Sequence, residues 1–312
     1  MDQQALHFTT VDELSEGTIH SLLKEAEKFK EGSFWEPSPQ HPFIANLFYE
    51  PSTRTKMSFE VAQRRLGLQI LDVDTDNSSV QKGESLYDTV RTLQAVGASA
   101  VVVRHPDNHF YENLRNISIP IINAGDGNGE HPSQCLLDLL TIVEEFKCFR
   151  NLNVAVIGDV YHSRVARSNV KVLKRLGANV MFAGPDHWLD ISGLDCPQVS
   201  VDTAVAGADV VMLLRVQHER HNEIMEQKKK NDYHAQYGLT MEREKMMKPG
   251  GIIMHPGPFH RDVEIASSLI EGSYHSRIFR QMENGVYARM AILKYVFEQQ
   301  RDKEFALEGA LS

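Results

Sequence analysis

The chain is poor in cysteine: Cys135, Cys148 and Cys196 are its only three in 312 residues, and none lies in a C-x-x-C pair. An odd, scattered set argues against a disulfide framework and a thiolate zinc site, and it fits a reducing cytoplasm. No apolar run approaches the ~20 residues that a membrane-spanning helix needs. The opening Met1-Asp2-Gln3-Gln4 has neither the basic nor the apolar region of a secretory signal, so no leader and no membrane partner are expected. There is no basic stripe interleaved with aromatics and the net charge is −9, which argues against a nucleic-acid partner. Nucleotide fingerprints are missing as well. No G-x-x-x-x-G-K-[ST] loop occurs, and the apolar run at 153–157 is followed by the lone Gly158, not by G-x-G-x-x-G. There is no H-E-x-x-H, and the spacing of His218 and His221 reads as a solvated face. Neither a metal nor a cofactor is expected. An acidic chain that binds anions must gather its positive charge in a cleft.

What is present reads as α/β. Hydrophobic residues make up 42% and charged residues 24%, ordinary for a globular chain of about two domains at ~150 residues each. Short apolar runs at 43–48, 68–73, 100–103, 119–122, 153–157, 180–183, 210–214 and 251–254 read as buried strands. Between several of them, helical spacing appears, at 84–96, 131–143 and 164–176. An opening helix is expected over 11–30 and a last long one from about 284 to 298. Apolar strands alternating with helices imply parallel sheets covered on both faces. The expected fold is two three-layer α/β domains with parallel sheets, joined by interdomain helices. Residues 1–147 form the first domain, with a C-terminal helix near 284–300 packing back on it, and residues 148–283 form the second.

The stretch around which the rest is arranged is Phe48-Tyr49-Glu50-Pro51-Ser52-Thr53-Arg54-Thr55. It closes a strand and opens a helix whose Phe59, Ala62 and Leu66 share one face. Ser52 reads as the N-cap, its hydroxyl taking one of the free N–H groups of the first turn. Arg54 is out of place there, because a cation faces the positive end of the helix dipole. It makes sense where an anion is bound by both the helix end and the guanidinium. Polar residues recur after the other strands: Arg104, His131 with Gln134, Arg164, Arg215 with Gln217, and His255-Pro256-Gly257-Pro258. Open α/β sheets bind ligands at these strand ends. Four arginines and Lys82 suit a substrate with several negative charges, such as phosphate plus carboxylates. Plainer roles exist for some: structural ion pairs for Arg104 and Arg215, a helix cap for His131, a strand turn for Gly158-Asp159, and loop shaping for His255.

The motif at 48–55 resembles the carbamoyl-phosphate signature of the transcarbamoylases. The similarity runs on, in order, through Gln81-Lys82-Gly83-Glu84-Ser85, Val103-Arg104-His105-Pro106, Asn123-Ala124-Gly125-Asp126-Gly127 with His131-Pro132-Ser133-Gln134, Ile157-Gly158-Asp159 with Ser163-Arg164-Val165, Arg215-Val216-Gln217, and His255-Pro256-Gly257-Pro258. It covers nearly the whole chain and resembles the aspartate-using branch of that family. The resemblance implies transfer of the carbamoyl group of carbamoyl phosphate to the amino group of aspartate, a step of de novo pyrimidine biosynthesis.

It also implies roles. Ser52, Thr53, Arg54 and Thr55 would bind phosphate, while Thr55, Arg104 and His131 would point at the carbonyl oxygen. Gln134 and the backbone around Pro256, Gly257 and Pro258 would hold the carbamoyl amino group. Arg164 and Arg215, helped by Gln217, would take the aspartate carboxylates. Lys82 and a serine of the same loop, Ser79 in preference to Ser78, would enter from a neighbouring subunit of a homotrimer, with regulatory chains as candidate partners. The ornithine-using sister branch carries His-Cys-Leu-Pro at the last motif, which this chain lacks, and Arg215 would repel a cationic amino acid. A non-catalytic binding protein on the same fold is the alternative from another class.

Overall fold

The computed structural model describes residues 7–37, 41–74, 83–189, 193–216 and 227–311. Its chain divides into two compact units, Met1–Leu137 with Asn284–Ser312, and Asp138–Glu283. The first contains α1 (Glu16–Lys30), β1 (Phe43–Phe48), α2 (Thr53–Arg65), β2 (Gln69–Asp72), α3 (Leu86–Ala95), β3 (Ala98–His105) and β4 (Ile121–Asp126). Its four strands are all parallel, in the order β2-β1-β3-β4. The second contains β5 (Asn153–Ile157), α5 (Arg164–Arg175), β6 (Asn179–Ala183), α6 (Val201–Gly207) and β7 (Val210–Leu213). It continues with α7 (Gln227–Tyr237), α8 (Met241–Glu244), β8 (Ile252–Met254) and α9 (Ser267–Gly272). Its sheet is likewise parallel, ordered β6-β5-β7-β8. Two helices, α4 (Pro132–Phe146) and α10 (Ile278–Leu311), run through the division.

The division falls inside α4, earlier than the boundary expected after residue 147. The reason is local: Asp138, on α4, hydrogen-bonds Asn169 and Gln281, which belong to the second unit. Side chains on one strand face alternate by two, and both sheets obey that rule. In the first unit Ala45, Leu47, Val101, Val103 and Ile121 pack with Val90 of α3. In the second, Ala155, Ile157, Val211, Leu213 and Ile253 pack with Val201, Ala204 and Val205 of α6. The intervening Ile44, Val102, Val154, Val156, Val210 and Met212 are buried on the other face. At roughly 25 cal/mol per Å² of apolar surface, this two-sided burial is what holds the strands parallel and central.

Three expectations need adjusting. The strand expected over 119–122 runs from Ile121 to Asp126, so that Asn123-Ala124-Gly125-Asp126 forms the end of β4. Its polar groups are satisfied there: Asn123 Nδ2 donates to the Thr9 carbonyl and Asn123 Oδ1 accepts from the Gly125 N–H. The opening helix begins at Glu16, not near residue 11, because Ser15 caps it by accepting from the Thr18 N–H. The last helix begins at Ile278, ahead of the expected 284. Helices α6 to α9 had no expectation; α7 lacks an apolar stripe legible in sequence, and α8 and α9 are short.

Candidate active site

Both sheets reverse their strand order at the same place, between the first strand and the third of each unit, which is where doubly wound sheets bind ligands. In the first unit that crevice lies at the carboxyl ends of β1 and β3. Phe48 pairs with Arg104 across them, and the Tyr49 N–H donates to the Arg104 carbonyl at 3.0 Å. Ser52-Thr53-Arg54-Thr55 therefore begins beside Arg104. Next to β3, β4 leads to His131 and Gln134. The structure thus gathers seven of the expected residues, Ser52 to Thr55, Arg104, His131 and Gln134, on three neighbouring strand ends.

Ser52 stands at the N-cap of α2, but its side chain makes no capping hydrogen bond, contrary to expectation. Its backbone dihedrals, φ −159° and ψ 82°, differ from those of the capping serines. Ser15, Ser85, Ser163 and Ser200 all cap their helices. Helices α1, α3 and α6 also carry an acid in the first turn, whereas α2, α4 and α5 carry none. The α2 N-terminus thus has neither a capping side-chain hydrogen bond nor an acid in its first turn. Arg54 and Thr53 are exposed there, and Thr55 is buried.

Arg104 forms an ion pair, its Nε lying 3.2 Å from Glu50 Oε2. Glu50 is a residue the sequence reading did not single out, although it sits inside the quoted motif. Beside Arg104, burial lowers the His105 imidazole against the weaker pull of Asp107 and Glu50. Neutral, its Nδ1 accepts the Asp107 N–H at 3.1 Å, and the ring packs edge-on to Tyr49 at 5.0 Å. His131 is buried and occupies the start of α4, its carbonyl accepting from Gln134 and Cys135 N–H at 3.0 Å. The loop before it is held by two buried acids. Asp126 accepts the Glu130 and His109 N–H groups, and burial raises its pKa. Glu130 accepts the Thr10 hydroxyl and the Val11 N–H, each at 2.8 Å.

The second unit repeats the plan with different chemistry. Arg164 opens α5 after β5 and is buried; Arg215 follows β7; Pro256-Gly257-Pro258 follows β8. These are again three neighbouring strand ends. Ser163 caps α5, accepting the Ala166 N–H at 3.1 Å. Gly158 turns the chain out of β5 at φ +120°, a region that disfavours side chains, and its N–H donates to the Ala183 carbonyl. Asp159, wholly buried, holds the His162 ring, with Oδ1 2.9 Å from Nδ1.

His255 shapes the last loop. Its Nδ1 accepts the Gly257 N–H at 2.9 Å, which assigns the proton to Nε2, and Nε2 donates to Glu264 Oε1 at 3.2 Å. Glu264 Oε1 also accepts the His260 N–H at 2.7 Å. One buried carboxylate therefore ties both ends of the loop that presents Pro256, Gly257 and the cis-linked Pro258. Glu264 has no sequence signal, since its partners come only from the folded loop. Ser78, Ser79, Lys82, Gln217, His218 and His221 lie outside the described residues.

Two α/β units with arginine-bearing strand ends match two family models in chain order. Residues 6–144 match the aspartate/ornithine carbamoyltransferase carbamoyl-P binding domain, and residues 150–296 match the Asp/Orn binding domain. The chain belongs to the aspartate/ornithine carbamoyltransferase family. Among solved structures, it is similar to aspartate transcarbamoylase from Trypanosoma cruzi in complex with carbamoyl phosphate. The two are 30% identical, with a TM-score of 0.82 and with 92% of this chain and 94% of that one covered. The same enzyme in complex with N-(phosphonacetyl)-L-aspartic acid matches at 30% identity, TM-score 0.81 and the same coverage. Its ligand-free form matches at 28% identity and TM-score 0.77, covering 92% of this chain and 95% of that one.

Proposed function

We propose that this chain transfers the carbamoyl group of carbamoyl phosphate to the amino group of L-aspartate, giving N-carbamoyl-L-aspartate and phosphate for pyrimidine biosynthesis. The observation that carries the reading is the start of α2, a helix end with an uncapping serine, no acid and Arg54. Such an end suits a phosphate. In the first unit Ser52, Thr53, Arg54 and Thr55 grip that phosphate. Thr55, Arg104 and His131 face the carbonyl oxygen and stabilise the oxyanion that forms on attack. Gln134 and the backbone of Pro256, Gly257 and Pro258 hold the carbamoyl amino group. In the second unit Arg164 and Arg215, with Gln217, take the two carboxylates, for which arginine forks are suited.

The neutral aspartate amine attacks the carbamoyl carbon. A C–N bond forms, the bond from that carbon to the phosphate oxygen breaks, and the leaving phosphate accepts the amine proton. Positioning and charge stabilisation supply the catalysis. Lys82 and Ser79 complete the site from a neighbouring subunit of a homotrimer. The three cysteines are free, in keeping with a cytoplasmic enzyme. Among the described residues no helix is long and apolar enough to cross a membrane.

The direct test is transfer to aspartate and, in parallel, to ornithine, with the purified chain alone. Product with aspartate only is expected; product with ornithine instead would overturn the assignment of Arg215 and the 255–258 turn. No product with either would reject catalysis by the chain alone. For the shared site, Lys82→Ala and Arg54→Ala chains are mixed and reassembled. Partial recovery of activity is expected, and none in verified mixed oligomers would refute a lysine supplied in trans.

A further inference from the structure

Asp138 is almost wholly buried on α4, and the proposed chemistry makes no use of it. Its carboxylate is shared between two amides. Oδ1 accepts from Gln281 Nε2 and Oδ2 from Asn169 Nδ2, each at 2.6 Å. Both amides are themselves buried and both reach further. Gln281 Oε1 accepts the His255 N–H at 2.9 Å, at the head of the turn that presents Pro256 to Pro258. Asn169 lies on α5, the helix that Arg164 opens, and its Nδ2 also lies 3.3 Å from Met212 Sδ. Met212 belongs to β7, which leads to Arg215. One carboxylate thus reaches all three elements of the second unit on which candidate ligand residues stand.

We propose that Asp138 is a positioning residue of this half of the site: through Asn169 and Gln281 it sets Arg164, Arg215 and the 255–258 turn in register with one another. The inference rests on the reaction proposed above. A carboxylate is the group that suits this place. Both neighbouring amides donate to it, and a side chain with two acceptor oxygens and no donor receives both without reversing either. Reversing Gln281 would set its NH2 against the His255 N–H. Reversing Asn169 is tolerated, because its Oδ1 is buried without a hydrogen-bond partner. Asp138→Asn can therefore relax on the Asn169 side and keep the Gln281 link, whereas Asp138→Ala loses both.

The test is steady-state kinetics on the full chain, with folding checked by circular dichroism and thermal melting. Parental transfer to aspartate is measured first, and its absence would reject the underlying reading, not this inference. With that activity in hand, folded Asp138→Ala should raise KM for aspartate by on the order of tenfold, the loss of a charge-assisted hydrogen bond. It should also lower kcat, raise KM for carbamoyl phosphate less than KM for aspartate, and be partly rescued in Asp138→Asn. An unchanged KM for aspartate, or equal rises in both KM values, overturns the proposal. Should Asp138→Ala fail to fold, Gln281→Met carries the same test, since it cuts the link to the turn alone. It should lower kcat, and parental kinetics in it overturn the proposal equally.

Discussion

The two units share one topology and use it differently. Each has four parallel strands in a 2-1-3-4 pattern, and each carries its candidate residues after the three contiguous strands that include the switch point. In the first unit the helix after the leading strand begins with an uncapped serine and an exposed Arg54. In the second it begins with a capped serine and a buried Arg164. An open helix end offers several N–H donors and a dipole, which suits a compact phosphate. A capped end has one N–H donor fewer beside its arginine, whose fork suits a carboxylate. On the proposed reading, the same scaffold carries two anion sites that differ in how one helix starts.

The strongest way to break this comparison is Arg54→Ala. Loss of a cation aimed at the phosphate should cut kcat/KM by about 10³, while the melting temperature stays near parental, because a cation at a helix start gives the fold little. A comparable fall in stability would show that Arg54 is structural. Arg215→Ala follows. It should weaken aspartate use by roughly 10²-fold, the scale of a lost charged hydrogen-bond pair, with carbamoyl-phosphate affinity retained. Equal loss for both substrates would erase the division of labour between the units.

A third prediction concerns stability in the first unit. Burial, with Lys303 nearby, pushes the His7 imidazole down to about 4, and its Nε2 has no hydrogen-bond partner. The unfolded chain binds a proton there more readily, so stability should be full above about pH 6.5 and fall as pH drops toward 4. The loss is at most about 3 kcal/mol, and urea midpoints at pH 7 and pH 4.5 would measure it. His7→Phe should flatten that dependence; an unaltered slope would place the titration elsewhere.

The smallest effect is also the sharpest contrast. Ser163→Ala removes a working cap and should cost about 1 kcal/mol, read as a lower melting temperature. Ser52→Ala removes none and should leave stability alone while weakening phosphate binding. Matching stability losses would mean that both serines cap.

Strand positions were legible in the chain alone, and most candidate site residues were named from them. Val101-Val102-Val103 and Val154-Ala155-Val156-Ile157 are apolar without alternation, which only a strand buried on both faces needs. Arg54 could be found because a cation at a helix start is locally unfavourable and so calls for another cause. Arg104, Arg164 and Arg215 followed from standing where apolar runs end. None of this required a partner distant in sequence.

What the tertiary structure alone decided is which polar groups are already occupied. Ser52 reads as a capping residue from the chain alone, yet it makes no cap while Ser163, at the same place before α5, does. Glu50 on Arg104, Glu264 on both ends of the 255–260 loop and Asp138 between Asn169 and Gln281 have no periodic pattern. Hydrophobic burial repeats along the chain, with the period of the element that is buried, and so it can be read locally. A buried hydrogen bond depends on two groups meeting within about 3 Å, and where they are far apart in sequence only the folded chain brings them there.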